Sequence, residues 1–235
     1  MHNELLLLIT LIIYYGAVII FYRYLGVLGL LIWTCIATIC ANIEVVLIIE
    51  AFGQEQPLGN ILFASTFLVT DILSENEGRK FANKAVLIGV ISSISFVIMS
   101  RIFLMFTPSA SDFAYSSMQI VFKNTPRIIF VSIIVYLIAQ VFDVFIYHKI
   151  WELTTKKFGN SNRMLFLRNN ISTLLSQLIN SFLFNYGAFY GIYEADTVFS
   201  IFISSYVIYA ITSICDTPLL YLSRYLKDNN YIKTN

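Results

Sequence analysis

Two apolar stretches near the N-terminus decide the fold: LLLLITLIIYYGAVIIFY at residues 5–22 and GVLGLLIWTCIATICANIEVVLII at residues 26–49. A helix that crosses a membrane needs about 20 predominantly apolar residues, with a range of roughly 17–25. Only residues 23–25 separate the two stretches, so we expect either a tight helical hairpin or one bent element. Neither stretch shows the sustained period-two alternation of membrane strands, which favours helices.

The rest of the chain repeats this pattern. Hydrophobic residues make up 58% of the 235 residues and charged residues only 12%, whereas a soluble domain carries about a quarter charged residues. Further apolar segments are found at 58–73, 84–106, 127–150, 166–190 and 196–222. We therefore predict an all-α integral membrane protein with one domain, 1–235. It is a compact bundle of seven transmembrane helices, or six if the short segment 58–73 does not cross. The connection 107–126 has room for a short interfacial helix.

Lysine and arginine are distributed unevenly between alternate connections, which predicts the orientation. One side of a seven-span topology carries twelve basic residues and the other side carries two, Lys123 and Arg127, while Arg101 lies inside a segment. Basic residues mark the cytoplasmic side. We therefore expect the N-terminus outside and the C-terminus in the cytoplasm. The twelve are Arg23, Arg79, Lys80, Lys84, Lys149, Lys156, Lys157, Arg163, Arg168, Arg224, Lys227 and Lys233.

Several function classes lack the residues they need. The net charge of +1 gives no footprint for nucleic acid. The chain has two histidines and no H-E-x-x-H, no G-x-S-x-G serine elbow and no G-x-x-x-x-G-K-[ST] phosphate loop. We predict no catalytic residue, no metal ligand and no cofactor. An enzyme is the least supported reading, and transport of a small solute is favoured.

Polar residues recur at helical spacing inside the apolar segments. One stripe contains Asn170, Thr173, Gln177 and Asn180, a second contains Tyr136, Gln140, Asp143 and Tyr147, and a third contains Asn60, Ala64, Phe67 and Asp71. Polar groups at membrane depth need partners or water, so the stripes should face the bundle interior and share one cavity.

A purely structural role is the alternative for each of these residues. Amides and hydroxyls often only join membrane helices, and Asp143 could belong to a structural ion pair. We expect Glu50, Glu75 and Glu77 to be solvated interfacial charges, and His148 to be an interfacial side chain rather than a proton relay. The small-residue pattern Ala37-x-x-x-Ala41 first indicates close helix packing.

Four motifs in order resemble one transporter family. They are LGNILFAS at 58–65 continuing to TDILSE at 70–75, AQVFDV at 139–144 followed by Tyr147 and His148, LRNNIST at 167–173 followed by Ser176 and Gln177, and DTP at 216–218. Together they resemble the queuosine precursor transporter family, also called the vitamin uptake transporter family. One position departs from the pattern: the resemblance leads us to expect an acid where Asn180 stands.

The resemblance implies uptake of a 7-deazaguanine base for the tRNA nucleoside queuosine: queuine, or the 7-cyano or 7-aminomethyl base. Carboxylates can accept the adjacent N–H groups of such a base, amides or arginine can serve its carbonyl, and aromatic rings can stack on its face. The predicted binding residues are Asn42, Glu44, Asn60, Asp71, Gln140, Asp143, Arg168, Asn170, Gln177 and Asn180.

Three kinds of membrane protein remain open. The first is a solitary secondary transporter in the cytoplasmic (inner) membrane, with a proton as the candidate coupling ion. The second is a substrate-binding component of a multi-subunit vitamin uptake system, with Ala37 and Ala41 on a docking face. The third is a receptor that binds but does not move its ligand. A homodimer is compatible with each of them.

Overall fold

The computed structural model describes residues 2–122, 126–159 and 164–233. In these ranges the chain forms seven α-helices and one two-stranded hairpin. They are α1 (His2–Glu44), β1 (Ile48–Ala51), β2 (Gln54–Pro57), α2 (Asn60–Asn76), α3 (Arg79–Phe103), α4 (Tyr115–Phe122), α5 (Pro126–Phe158), α6 (Leu165–Phe189) and α7 (Ala195–Asp228). Helices α1, α3, α5 and α7 each contain a stretch long and apolar enough to cross a membrane. The predicted helical character is confirmed, and α4 is the short helix expected within 107–126.

Helix α1 is two antiparallel arms rather than one rod. Gly26 interrupts it with φ 56° and ψ −138°, a conformation that glycine adopts without the steric cost of a Cβ. The Tyr14 hydroxyl donates to Glu44 Oε1 at 3.1 Å, and the rings of Phe21 and Trp33 lie 5.6 Å apart. Thirty residues of straight helix would span about 45 Å, so these contacts require a reversal. The tight hairpin expected at 23–25 is therefore found, with its turn at Gly26.

The strand pair corrects the expectation of an all-α chain. Ile48–Ala51 pairs antiparallel with Gln54–Pro57, and the two-residue turn is Phe52 and Gly53, with φ of 55° and 71°. Positive φ at both positions is the geometry of a type I′ hairpin turn. Because β1 continues the apolar run of α1 for only four residues, its sequence could not be separated from the helical segment before it.

Helix α2 occupies the centre of the bundle. It packs against α1, α3, α5 and α7, and most of its 17 residues are buried. Ala37 and Ala41 of α1 are also buried, and a Cβ added to Gly59 would lie 3.2 Å from the Ala41 carbonyl oxygen. The small-residue pattern thus allows close packing inside the bundle. The alternative of a docking face at Ala37 and Ala41 was wrong, because neither residue is available to a partner.

The helices run alternately between two ends of the bundle. One end, which we name the β end, holds the strand pair, where Gln54 Oε1 accepts a hydrogen bond from Ser200 of α7. The other end, which we name the Glu75 end, holds the Gly26 turn and the last turn of α2. Residue 2 starts at the β end and α7 finishes at the Glu75 end. The basic residues predicted to be cytoplasmic lie in the elements of the Glu75 end, except Arg163, which like Lys123 is outside the described residues.

Candidate functional site

A cavity opens in the half of the bundle nearer the β end. Its empty volume, counted together with the open solvent at its mouth, is about 520 Å³. Helices α1, α2, α3, α5, α6 and α7 all contribute to its wall. The lining residues are Thr38, Ala41, Asn42, Val45, Gly59, Asn60, Phe63, Ser93, Ser132, Tyr136, Asn180, Phe184 and Tyr209.

Three of the predicted binding residues line this cavity, and all three are amides. Asn60 Nδ2 donates to Ser205 Oγ at 3.3 Å, and its Oδ1 accepts from the Tyr209 hydroxyl at 3.0 Å. Asn42 Nδ2 donates to the Thr38 carbonyl at 2.7 Å and to Ser93 Oγ at 3.2 Å. Asn180 Nδ2 donates to Gln177 Oε1 at 3.2 Å. These contacts fix amide groups at the cavity wall in defined orientations.

An aromatic group forms another part of the wall. The Phe63 ring lies 5.7 Å from the Tyr136 ring and 6.2 Å from the Tyr209 ring, both at steep interplanar angles. Tyr136 packs directly over Gly89 of α3, where an added Cβ would lie 2.1 Å from its hydroxyl oxygen. Phe63, Tyr136 and Tyr209 were not predicted as binding residues. The signal was present for Phe63, which lies in the first motif, and for Tyr136, which lies on the second stripe.

Gln140 lies next to the cavity along α5 but does not line it. Its side chain is fully buried, with Nε2 donating to Thr66 Oγ1 at 2.8 Å and Oε1 accepting from Thr70 Oγ1 at 3.1 Å. Both partners are on α2. Gln140 therefore ties α5 to α2 one turn beyond Tyr136, between the cavity and the Glu75 end.

Two buried carboxyl groups follow in the same direction. Asp143 Oδ1 accepts from Ser176 at 2.9 Å, and Asp71 Oδ2 accepts from Thr173 at 3.3 Å. The two side chains also face each other. Asp143 Oδ2 and Asp71 Oδ1 have no hydrogen-bond partner among the described residues. A third buried acid, Asp216 of α7, lies at a similar depth and was not predicted as a site residue.

Asn170 of α6 joins helices, whereas Gln177 bonds within α6. Asn170 Nδ2 donates to Thr217 Oγ1 at 2.8 Å, and its Oδ1 accepts from Ser213 at 3.3 Å. Gln177 holds Asn180 through its oxygen, while its Nε2 has no partner in the described part of the chain. Asn170 and Gln177 lie outside the cavity wall. The structure therefore places the predicted polar stripes in the bundle interior. Only the stripe residues nearest the β end line the cavity.

A buried ion cluster closes the Glu75 end. Arg168 Nη2 lies 2.6 Å from Glu75 Oε2 and its Nε lies 3.0 Å from the same oxygen, while the Tyr147 hydroxyl donates to Oε2 at 2.7 Å. Arg224 Nη1 approaches Glu75 Oε1 at 3.3 Å. The Arg168 guanidinium also lies 4.3 Å from the centre of the Trp151 ring. One carboxylate on α2 thereby connects α5, α6 and α7.

This cluster changes the interpretation of two residues. Glu75 was expected to be a solvated interfacial charge, but its side chain is only 3% exposed. Arg168 was predicted to bind substrate, but its described contacts are with Glu75, Tyr147 and Trp151. His148 stacks on Trp151 at the edge of the cluster, with ring centres 5.8 Å apart. The sequence around each of these residues could not reveal the cluster, because its members are up to 149 residues apart in the chain.

Glu44 lies beside the cavity without lining it. Its Oε1 accepts the Tyr14 hydroxyl across the α1 hairpin. Within the described residues, no group of three His, Cys, Asp or Glu side chains is arranged to hold a metal ion.

Helices α1, α3, α5 and α7, each apolar enough to cross a membrane and packed in one bundle, indicate a multi-pass membrane protein. The sequence comparisons give the family. Residues 57–223 match the family described as "Putative vitamin uptake transporter", and the chain belongs to that family. It is also 35% identical over 219 residues, 93% of each chain, to the "Probable queuosine precursor transporter" of Bacillus subtilis (strain 168). No solved structure matches the chain.

The family resemblance stated from the motifs is therefore confirmed. The family and the relative are transporters and not enzymes. All of the four motifs begin and end inside the matched region, 57–223.

Proposed function

We propose that this protein imports a 7-deazaguanine precursor of queuosine across the cytoplasmic membrane and binds it in the cavity at the β end. The relative's name supports the substrate class. The observation that carries the proposal is the position of the cavity: an amide- and ring-lined site lies on one side of a buried ion cluster that closes the other end.

The wall of the cavity has the chemistry that a flat base needs. Amide groups can both donate to a ring carbonyl and accept from ring N–H groups. Stacking of a base on an aromatic side chain contributes about 1–3 kcal/mol, and Phe63, Tyr136 and Tyr209 are the candidate platforms. Asn42, Asn60 and Asn180 are the proposed hydrogen-bonding residues.

The proposed orientation of the chain assigns the two ends of the bundle to the two sides of the membrane. With seven crossings, the N-terminus outside and the C-terminus inside, the cavity faces the external side and the Glu75 cluster faces the cytoplasm. On α2 the cavity residue Asn60 and Glu75 are separated by about 22 Å at 1.5 Å per residue. We propose that the Glu75 cluster is the inner gate, which must separate before a bound base can leave to the cytoplasm.

Asp71 and Asp143 are the proposed proton-coupling groups. They lie between the cavity and the gate, and each has one carboxyl oxygen without a donor among the described residues. Charged carboxylates are costly at membrane depth and are often found on proton pathways. Other ionisable groups that are buried or part-buried in this half of the bundle include Tyr22, Glu75, Glu77, Tyr147, His148, Arg168, Asp216 and Arg224.

Reconstitution of the purified chain into liposomes tests the proposal. We expect saturable uptake of a labelled 7-deazaguanine base by this chain alone, accelerated by an inward proton gradient. Tight binding without uptake would contradict a solitary transporter, and would favour a substrate-binding component or a receptor. Absence of binding by any 7-deazaguanine would contradict the substrate class.

A further inference from the structure

The cavity is polar but carries no charge. Among the described residues that line it, the polar ones are asparagine, serine, threonine and tyrosine, and no lysine, arginine, histidine, aspartate or glutamate contributes to the wall. These groups are neutral at pH 7. The wall can therefore form hydrogen bonds with a ligand, but it offers no countercharge to a cationic one.

The two acids nearest the cavity have their described hydrogen bonds with residues that do not line it. Glu44 accepts the Tyr14 hydroxyl, and Asp143 accepts the Ser176 hydroxyl beyond the buried Gln140. Gln140 is itself fixed to Thr66 and Thr70, so it separates the cavity from Asp143 along α5. Neither acid contributes to the wall that a ligand in the cavity would contact.

This distinguishes between the candidate bases. An alkyl amine has a pKa near that of lysine, about 10.4, so an aminomethyl group carries a positive charge at neutral pH. Moving an ammonium group out of water costs several kcal/mol unless a partner replaces its hydration. A cyano group is neutral and accepts a hydrogen bond from an amide. The ring faces that stack on the base are not available to compensate the charge.

Among the three amides of the wall, Asn180 is the one that could be replaced most readily by a negatively charged side chain. Both ends of Asn60 are bonded to α7 side chains, and Asn42 bridges Thr38 and Ser93. Asn180 bonds to Gln177 Oε1, and Gln177 Nε2 has no partner among the described residues. If the Gln177 amide rotates by a half-turn, its nitrogen becomes the donor to a carboxylate at position 180.

We propose that the cavity selects an uncharged 7-deazaguanine base over one that bears a protonated amine, and that Asn180 sets this preference. The inference rests on the proposed function and specifies its substrate. In this proposal, the neutral side chain of Asn180 determines which base is preferred.

Isothermal titration of the purified full chain with three bases tests it. The bases carry cyano, aminomethyl or hydroxymethyl at position 7; the last two have the same size and differ in charge. We expect wild type to bind the cyano and hydroxymethyl bases at least about tenfold more tightly than the aminomethyl base, a difference of about 1.4 kcal/mol. We expect Asn180→Asp to raise affinity for the aminomethyl base at least about tenfold, and Asn229→Asp, the same change at an exposed position after α7, to keep the wild-type preference.

Equal or tighter binding of the aminomethyl base by wild type would overturn the inference and leave the proposed function intact. An unchanged ratio in folded Asn180→Asp would overturn the role of Asn180. If that variant does not fold, the comparison of hydroxymethyl with aminomethyl on wild type still decides whether charge is selected. If none of the three bases binds, the proposed function fails together with the inference.

Discussion

Arg168 of α6 and Glu75 of α2 form a buried, two-pronged ion pair, with guanidinium nitrogens at 2.6 and 3.0 Å from one carboxylate oxygen. The pair is 93 residues apart in sequence and lies at the end of the bundle away from the cavity. Tyr147 and Arg224 complete the coordination of the same carboxylate. A planar guanidinium suits this geometry in a way that a lysine ammonium does not.

Glu75→Gln should open the inner gate. Removing one partner of a buried ion pair costs about 3–5 kcal/mol because the other charge is left uncompensated. We expect a lower melting temperature and at least about a tenfold loss of proton-driven uptake. Glu152→Gln is the matched control, because Glu152 pairs with exposed Lys156 one turn away and its own side chain is 54% exposed. Normal uptake by Glu75→Gln would exclude the cluster as a gate.

Asp143→Asn should abolish uptake while the protein still folds and inserts. The amide oxygen of asparagine can keep the bond from Ser176, so the packing between α5 and α6 is preserved. The ability to take up and release a proton is lost. The measurement is uptake in liposomes as a function of external pH, with exposed Asp196→Asn as the control. A normal rate with normal pH dependence would make Asp143 structural and Asp71 the better candidate.

Gly89→Ala should weaken ligand binding indirectly, through a displacement of Tyr136. The added methyl group would lie 2.1 Å from the Tyr136 hydroxyl oxygen, so the tyrosine must move relative to the cavity. Overpacking of this kind typically costs about 1–3 kcal/mol. We expect a higher Kd in titration calorimetry. Gly16→Ala is the control, since a Cβ there meets no atom within 4 Å, and the two variants should differ clearly.

Phe63→Leu should reduce affinity for the base. Leucine retains an apolar side chain but removes the aromatic face, and stacking contributes about 1–3 kcal/mol per base. That corresponds to a rise in Kd of about fivefold to 150-fold. Phe130→Leu changes a side chain that is 67% exposed on α5 and should leave Kd unaltered. Equal Kd values for wild type and Phe63→Leu would place the base outside this cavity.

The orientation can be tested at the two termini, Met1 and Asn235, both of which lie outside the described residues. From the basic-residue distribution we expect a tag at Met1 to be labelled from outside and a tag at Asn235 only after permeabilisation. Tags found on the same side would exclude an odd number of crossings.

The sequence was sufficient for the helices and for the polar interior, because apolar length and helical spacing are local properties. The hairpin at Gly26 was one of two expected alternatives, and backbone conformation at one residue decided between them. The ion cluster was not predictable, since Glu75 follows an apolar run by two residues and resembles any interfacial acid. The cavity wall was only partly predictable. A stripe of polar side chains shows which face points inward, but not how far along that face space is left open.

The one-residue turn at Gly26 also has a consequence for biogenesis. The arms 2–25 and 27–44 are joined without a loop, and each is too apolar to remain in water once it has left the ribosome. Backbone groups within the lipid must be paired inside their own helix, so each arm must be helical when it enters the bilayer. We therefore expect the two arms to enter the bilayer as one hairpin. The second arm then presents Trp33, whose Nε1 donates to Ser65 of α2 at 2.9 Å, as a surface on which the central helix can dock when it is synthesised next.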